Sequence, residues 1–324
     1  MFTPNQLLEK VNRHLNELSY SRDPKGLYTP VEYVLSLGGK RIRPILMLMA
    51  YELYKDNVND ILDQAVGIEI YHNFTLLHDD LMDCADKRRG HPTVHIKWNN
   101  NTAILSGDAM TVLAYQYLSA CDKEILPTVI KIFNDTALEI CEGQEWDMEF
   151  ESRNDVTEKE YIEMIRLKTA VLLAGSLKIG AVLAGASEED AAQLYQFGIE
   201  VGLAFQLQDD FLDVYGNSAN FGKNIGGDIL CNKKTYMLIK ALSLADEKQT
   251  KELNQWLSAT EFDPKEKIAA VTKLYNELNI ACYCDKMIED YYNKGISRLD
   301  RISVSDEKKQ ALKAYAQELM HRKV

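Results

Sequence analysis

The chain has 324 residues, of which 46% are hydrophobic and 27% are charged, the proportions of a globular protein with a sizeable core. Its formal net charge of −12 argues against a general nucleic-acid binder, which needs a basic face. The charge does not exclude anionic substrates, because bound divalent cations can invert the local charge.

Helical periodicity runs along nearly the whole chain. Proline directly after a capping residue predicts helix starts at Pro4, Pro30 and Pro264. The only strand candidate is PTVHIKW at 92–98, and no linker or low-complexity run divides the chain. We therefore expect one all-α domain over residues 1–324, a large helical bundle. The predicted helices are 4–19, 30–37, 44–55, 60–84, 101–120, 125–151, 158–166, 168–186, 188–216, 234–245, 264–278, 280–300 and 304–322.

Three features predict a cytoplasmic protein without a membrane span. The N-terminus lacks the basic start, apolar run and cleavage site of a signal peptide. The most apolar stretch, at 170–186, is short and contains Lys178. Six cysteines are scattered without a pairing pattern, as in proteins that keep their thiols reduced.

The spacing D-D-x-x-D occurs twice, and the two copies are the first motifs that point to chemistry. We call Asp79, Asp80 and Asp83 the first aspartate cluster, and Asp209, Asp210 and Asp213 the second aspartate cluster. On a helix, the first and last aspartates of each cluster lie about 40° apart and share a face. A solvated acidic helix face would show the same spacing.

Both clusters lie near the C-terminal ends of long, otherwise apolar predicted helices, where negative charge opposes the helix dipole. Such a placement is unfavourable unless a cation compensates. Mg²⁺ fits, because it takes oxygen ligands from a few carboxylates and from substrate phosphates. Ca²⁺ storage is the alternative, but neither cluster has the spaced ligands and central glycine of an EF-hand loop.

Basic residues near these clusters could hold a diphosphate, since arginine binds phosphate in a bidentate manner and lysine acts as a point charge. They occur in LGGKRIRP at 37–44, in RLKTA at 166–170, and directly after each cluster. The predicted arrangement has carboxylates holding metal, metal holding diphosphate, and basic side chains completing the site.

The ordered set of motifs resembles the all-trans isoprenyl diphosphate synthases of the polyprenyl synthetase family over about residues 35 to 240. These motifs are GGKRIRP, HDDLMD, RRGHPTVH, GD at 107–108, GQEWD, KTA, FQLQDDFLD and GKNIGGDILCNKKT. The resemblance implies an all-helical bundle around a central cavity, and a homodimer. It also implies isopentenyl diphosphate and allylic diphosphates (dimethylallyl, geranyl or farnesyl) as substrates.

The resemblance assigns roles to individual residues. The six cluster aspartates would bind Mg²⁺, typically three ions, and the allylic diphosphate would be gripped by Arg88, Lys168, Lys223 and Lys233. The site for isopentenyl diphosphate would use Lys40, Arg43, His72 and Arg89. Gln144, Asp147, Thr169 and Gln206 match cavity positions. His72 precedes Asp79 by seven residues, about two helical turns, so both fall on one face. A buried histidine with a purely structural role, its hydrogen bonds satisfied within the core, would show the same spacing.

The implied chemistry is ionisation, condensation and elimination. The allylic diphosphate leaves as cations stabilise its charge, isopentenyl diphosphate attacks the carbocation, and a proton is lost. The departed diphosphate is the expected proton acceptor. Water must be excluded, because it would quench the cation.

Phe74, five residues before the first aspartate, occupies the position that often limits product length in this family. A bulky residue there is typical of short-chain members, so we expect a C15 to C20 product, with geranylgeranyl diphosphate favoured. On a regular helix, Phe74 points about 140° away from Asp79, so Tyr71 and Thr75 are alternatives for the cavity floor.

Three other functions remain open from the sequence. A synthase of C30 or longer products would share all the motifs. A class I terpene cyclase usually has a different second metal motif and has no need of an isopentenyl diphosphate site. A non-catalytic subunit of a prenyltransferase commonly lacks some of the six aspartates.

Overall fold

The computed structural model describes residues 1–18, 20, 22–216 and 225–320. The helices are α1 (Pro4–Glu17), α2 (Lys25–Ser36), α3 (Ile42–Glu52), α4 (Leu62–Met82), α5 (Val94–Lys97), α6 (Asn100–Leu118), α7 (Leu126–Ser152), α8 (Glu158–Ile165), α9 (Val171–Leu183), α10 (Glu188–Tyr215), α11 (Gly227–Leu230), α12 (Tyr236–Leu244), α13 (Glu247–Ser258), α14 (Pro264–Glu277), α15 (Ile280–Asp300) and α16 (Asp306–Met320). A 3₁₀ turn covers Val58–Ile61, and a π-turn covers Arg166–Ala170 between α8 and α9. The all-α prediction is confirmed.

The chain divides into two compact units. Unit 1 consists of Met1–Asn134, Gly175–Tyr195 and Ile302–Leu312. Unit 2 consists of Asp135–Ala174, Gln196–Arg301 and the residues from Lys313 onward. The expectation of one domain over 1–324 stays a prediction. Across the described residues, no helix is both long enough and apolar enough to span a bilayer.

Unit 1 is built around α3, α4 and α6. Helix α3 is buried along nearly its whole length, and α4 packs along α6. The two helices approach closely at Gly67, where an added Cβ would lie 3.1 Å from the carbonyl oxygen of Ala114. This packing places the C-terminal end of α4, with the first aspartate cluster, beside the loop that carries β1 (Lys87–Arg88) and β2 (His91–Pro92).

Unit 2 contains α10 from Gln196 onward, including the second aspartate cluster near its C-terminal end. Gly202 of α10 lies against the π-turn, since an added Cβ there would lie 2.6 Å from the Cα of Ala170. Helix α12 packs against α8, α14 and α15. Buried apolar residues on these helices, among them Phe197, Leu207 and Leu274, form the core of this unit.

The predicted capping at Pro4 and Pro264 is confirmed, with Thr3 and Asp263 as the N-caps. The prediction at Pro30 is wrong: α2 begins at Lys25 and contains Pro30. No side chain caps the start of α2, since its N-cap is Pro24, so the usual sequence signal is missing there.

The strand predicted at 92–98 is also wrong. Strand β2 ends at Pro92, and α5 takes up the following residues. The β-branched residues of this stretch had no longer partner strand, because β1 contains only two residues.

Helix α13 went unpredicted because its sequence, EKQTKELNQWLS, is mostly polar. The capping box formed by Asp246 and Gln249 was the available signal. The predicted break between 158–166 and 168–186 is the π-turn, and the helical run continues through it.

Candidate active site

Arg41 fixes the loop before α3. Its side chain is buried, and its backbone has the left-handed conformation, with φ of 50°. Its guanidinium donates to Glu69 Oε1 at 2.7 Å, to the carbonyl of Leu35 at 2.8 Å, and to Asn12 Oδ1 at 3.2 Å. These bonds compensate for the left-handed conformation, which costs roughly 1–2 kcal/mol in a non-glycine residue. They hold the GGKRIRP segment against α4.

Arg43 and His72 form the next contact, with Arg43 Nη1 3.0 Å from His72 Nε2. A guanidinium can only donate, so His72 Nε2 accepts and the imidazole is neutral. Burial and the nearby charges of Arg43, Arg89, Arg88 and Arg41 hold the pKa of His72 well below its usual range. Burial likewise lowers the pKa of Arg43 to about 10, although Glu69 opposes that shift.

Arg89 comes from the loop after α4 and reaches the two glycines before Lys40. Its Nη1 donates to the carbonyl of Gly38. A Cβ at Gly39 would lie 2.9 Å from Arg89 Nη2, and Gly39 has φ of +143°, so only glycine fits there. We call Arg41, Arg43, His72, Arg88 and Arg89 the arginine cluster; it is suited to binding an anion such as a diphosphate.

The first aspartate cluster is tied to the arginine cluster through Arg88. Arg88 Nη2 lies 2.6 Å from Asp80 Oδ1 and 3.6 Å from Asp79 Oδ2, and Arg88 Nε donates to Asp80 at 2.8 Å. Asp80 is buried, whereas Asp83 at the C-cap of α4 is exposed. Burial raises the pKa of Asp80, while the hydrogen bonds and charge of Arg88 oppose the rise.

In the second aspartate cluster, Asp210 is as buried as Asp80 but has uncharged partners. Tyr161 of α8 donates to Asp210 Oδ2, and Gln206 Nε2 donates to Oδ1 at 2.9 Å. Burial and the charge of Asp228 raise the pKa of Asp210 to about 7. The backbone N–H of Asp228 donates to Asp213 Oδ2 at 2.9 Å, so α11 is bound to the cluster directly.

Two of the predicted lysines lie close to the carboxylate of Asp147 on α7. Lys168 Nζ lies 2.6 Å from Asp147 Oδ2, and Lys233 Nζ lies 4.0 Å from the same oxygen. Although burial raises the pKa of Asp147, Lys233 and Lys168 lower it overall. The next residue after Lys168, Thr169, donates to Gln206 Oε1 at 3.1 Å, which connects the π-turn to the second aspartate cluster.

The three residues considered for the cavity floor lie on α4 in different settings. Tyr71 is buried, and its ring centroid is 4.9 Å from that of Phe133 and 5.3 Å from that of Phe74. The ring centroid of Phe74 is also 4.8 Å from that of His78, in an edge-to-face arrangement. The hydroxyl of Thr75 donates to the carbonyl of His72. Phe74 is therefore part of an aromatic cluster that extends through Tyr71 to Phe133 on α7.

The carboxylates of both clusters have the donor chemistry that Mg²⁺ prefers. In the described parts of the chain, no three Asp, Glu, His or Cys side chains converge on one point. Mg²⁺ is usually held by one or two carboxylates together with waters and substrate phosphates, so the donor set fits this ion without a closed protein cage.

Comparison with known proteins identifies the family. Residues 24–277 match the family model described as polyprenyl synthetase. The chain belongs to this family. A short chain isoprenyl diphosphate synthase of Methanocaldococcus jannaschii is 41% identical over 254 residues, which are 78% of this chain and 77% of that protein.

Solved structures of the polyprenyl synthetase family are similar over the whole chain. A geranylgeranyl pyrophosphate synthase crystal structure superposes with a TM-score of 0.95 at 42% identity and covers 100% of both chains. A Corynebacterium glutamicum geranylgeranyl pyrophosphate synthase, complexed with isoprenyl diphosphate and magnesium, has a TM-score of 0.87 at 28% identity and covers 98% of both chains.

The structure brings many of the sequence-predicted residues into direct contact within each unit. Arg43 contacts His72, Arg88 contacts Asp79 and Asp80, and Lys168 contacts Asp147. Lys40 is exposed in the loop before α3, and Gln144 lies on α7. Lys223, and with it most of the glycine-rich segment 216–228, lies outside the described residues.

Sequence reasoning missed three partners of these residues, namely Glu69, Tyr161 and Asp228. Glu69 carried a signal, because it is a lone carboxylate in the apolar run GIEIYHNF. Asp228 stands inside the GKNIGGDILCNKKT motif. Tyr161 lies in no motif, and only packing brings it to Asp210.

Proposed function

We propose that the protein is a prenyltransferase that condenses isopentenyl diphosphate with allylic diphosphates, head to tail, to an all-trans C15 to C20 prenyl diphosphate. Membership of the polyprenyl synthetase family and the names of its relatives support the reaction class. The single observation that carries the proposal is the arginine cluster around a neutral His72. A terpene cyclase has no need of such a second anion site.

The basic residues and His72 form two groups in this proposal, one for each substrate diphosphate. Lys40, Arg43, His72 and Arg89 hold the diphosphate of isopentenyl diphosphate. Arg88, Lys168, Lys223 and Lys233 hold the allylic diphosphate and offset the charge that grows as its C1–O bond breaks. The double bond of isopentenyl diphosphate then forms the new C–C bond, and a proton passes to the departed diphosphate. Water must be excluded during this reaction, because it would quench the carbocation.

We also propose Mg²⁺ as the metal, with three ions held by the six cluster aspartates. Bound Mg²⁺ would neutralise the charge of the leaving diphosphate. The magnesium and isoprenyl diphosphate of the Corynebacterium relative support this choice. Removal of the metal with a chelator should abolish product formation, and added Mg²⁺ should restore it.

The homodimer and the cytoplasmic location stay predictions. Three apolar residues of α6, Ile104, Leu105 and Val112, are exposed in the single chain, as expected for a helix that another copy covers. Sedimentation at several concentrations would test this, and a monomer throughout would contradict it. The six cysteines, all within the described residues, are unpaired.

The decisive experiment offers the purified protein Mg²⁺, isopentenyl diphosphate and each allylic diphosphate from C5 to C20. Chromatography of the dephosphorylated products then gives their chain length. A C15 or C20 alcohol is the expected result. A series reaching C30 or beyond would contradict the chain length, and a cyclic hydrocarbon without elongation would contradict the reaction.

For the product length we propose that the aromatic cluster at Phe74 forms the cavity floor, with Tyr71 and Thr75 next to Phe74. Phe74→Ala should lengthen the main product by at least one C5 unit, because it removes the ring that contacts both Tyr71 and His78. Phe262→Ala, which removes a half-buried ring remote from these motifs in the sequence, is the control. An unchanged product from Phe74→Ala would remove Phe74 from this role.

A further inference from the structure

The carboxylate of Asp210 is held at both oxygens by residues from two different helices. Tyr161 of α8 donates to Oδ2, and Gln206 of α10 donates to Oδ1. Gln206 in turn accepts from the hydroxyl of Thr169 in the π-turn. Asp210 and Tyr161 are 5% and 2% exposed, so water does not replace these donors easily. The result is a continuous chain of hydrogen bonds from Thr169 through Gln206 and Asp210 to Tyr161.

The π-turn explains how Tyr161 and Thr169 come to face the same helix. In a regular α-helix, residues eight apart are about 80° apart around the axis. A π-turn adds about one residue to the turn, which takes off about 100° and leaves roughly 20° between them. Tyr161 and Thr169 therefore lie on one face, and both point toward the α10 residues that they contact.

Two glycines, one on α7 and one on α10, pack closely against the π-turn. A Cβ at Gly143 of α7 would lie 2.4 Å from the backbone nitrogen of Lys168, and a Cβ at Gly202 of α10 would lie 2.6 Å from the Cα of Ala170. Neither glycine has room for a side chain, so backbone packs directly against the turn. The position of Thr169 relative to α10 is thus set by close packing.

We propose that Tyr161 is a positioning residue for the second aspartate cluster, which fixes the Asp210 carboxylate in one orientation before metal and diphosphate bind. This inference rests on the proposed function, because it assigns the cluster to Mg²⁺ and diphosphate. Outer partners of metal-binding carboxylates typically change metal affinity or activity about 10- to 100-fold when removed. Tyr161 donates a hydrogen bond without adding charge, and its ring is locked by burial.

The test is Tyr161→Phe, which removes one hydroxyl and keeps the ring. Tyr54→Phe is the matched control, because Tyr54 also donates to a carboxylate, at 3.0 Å, but to Asp190 in unit 1. Both variants should lower the Tm of the metal-free protein slightly. Only Tyr161→Phe should raise the half-saturating Mg²⁺ concentration, by about tenfold or more. The KM for isopentenyl diphosphate should stay within about twofold, since residues of unit 1 bind that substrate in our proposal.

A second readout does not depend on turnover. Calorimetry of inorganic pyrophosphate binding in the presence of Mg²⁺ should show weaker binding for Tyr161→Phe and unchanged binding for Tyr54→Phe. Gln206→Met, which removes the other donor to Asp210, should shift the Mg²⁺ dependence in the same direction. It keeps the inference testable if Tyr161→Phe folds poorly.

The outcomes separate the inference from the proposed function. If the wild type makes product but Tyr161→Phe loses only Tm, as Tyr54→Phe does, Tyr161 is structural and the inference is wrong. If the wild type makes no product with any starter, the proposed function fails, while pyrophosphate calorimetry still reports on Tyr161.

Discussion

The two aspartate clusters have the same spacing and the same position at the end of a long helix, yet their buried middle carboxylates are stabilised differently. Asp80 and Asp210 are both 5% exposed. Asp80 receives a hydrogen bond and an ion-pair contact from the charged guanidinium of Arg88, whereas Asp210 receives its hydrogen bonds from the neutral Tyr161 and Gln206.

The different partners lead to different influences on the pKa values of the two buried aspartates. Arg88 supplies a cation directly to the first cluster and opposes the effect of burial on the pKa of Asp80. At Asp210, burial and the charge of Asp228 outweigh the hydrogen bonds of Tyr161 and Gln206 and the charge of Lys233, and the pKa rises to about 7. The same residue pattern is therefore stabilised in two ways, by a cation in direct contact with Asp80 and by neutral hydrogen-bond donors in direct contact with Asp210.

Removal of the Arg88 guanidinium should have the largest effect on activity. Arg88→Leu leaves Asp80 without its charged donor and takes a positive charge from the proposed diphosphate site. We expect kcat to fall by about 10²-fold or more, the usual loss for one electrostatic group of an active site. Steady-state product formation measures this.

Arg153→Leu is the control, because Arg153 also pairs with two carboxylates, Asp155 and Glu160, but at the surface. Its activity should be near that of the wild type. A similar small loss in both variants would mean that Arg88 is only a surface ion pair.

Neutralising the two middle aspartates should separate these two arrangements by stability. Asp80→Asn leaves the partly buried Arg88 without its main anion, and we expect a loss of about 2 kcal/mol in the free energy of unfolding. Asp210→Asn leaves neutral partners that can reorient, so we expect less than about 1 kcal/mol. Urea unfolding without metal compares the two, and equal losses would contradict the distinction.

The smallest effect concerns His72, which shares α4 with the first cluster and is surrounded by Arg41, Arg43, Arg88 and Arg89. Its pKa is lowered in the folded state, so below about pH 6.5 the unfolded chain binds the extra proton and stability falls with falling pH. His72→Asn should remove up to about 1 kcal/mol per pH unit of this dependence below pH 6.5.

Unfolding free energies at about pH 5.5 and pH 7.5, on either side of the usual histidine pKa, would measure it. His91→Asn is the control, since His91 is exposed in β2. The same pH dependence in wild type and His72→Asn would show that His72 is not a buried neutral base.

Local patterns were enough to predict the helical class, and the ordered motifs supplied the candidate site residues. Thr3, Asp263 and their following prolines mark real helix starts, because capping involves only neighbouring residues. The resemblance assigned Arg43, His72 and Arg89 to one substrate site and Arg88 to another, although no motif states a contact. Pro30 and the stretch 92–98 misled the prediction, because the true start of α2 has no side-chain cap and β1 has two residues.

The sequence by itself therefore determined that the chain is helical, that it carries two aspartate clusters, and which basic residues accompany them. Only the tertiary structure decided that Arg88 pairs with Asp80, that Tyr161 and Gln206 hold Asp210, and that a π-turn positions Thr169. The physical reason is that periodicity and capping act within a few residues. The partners of a buried charge, such as Tyr161, 49 residues before Asp210, are chosen by packing.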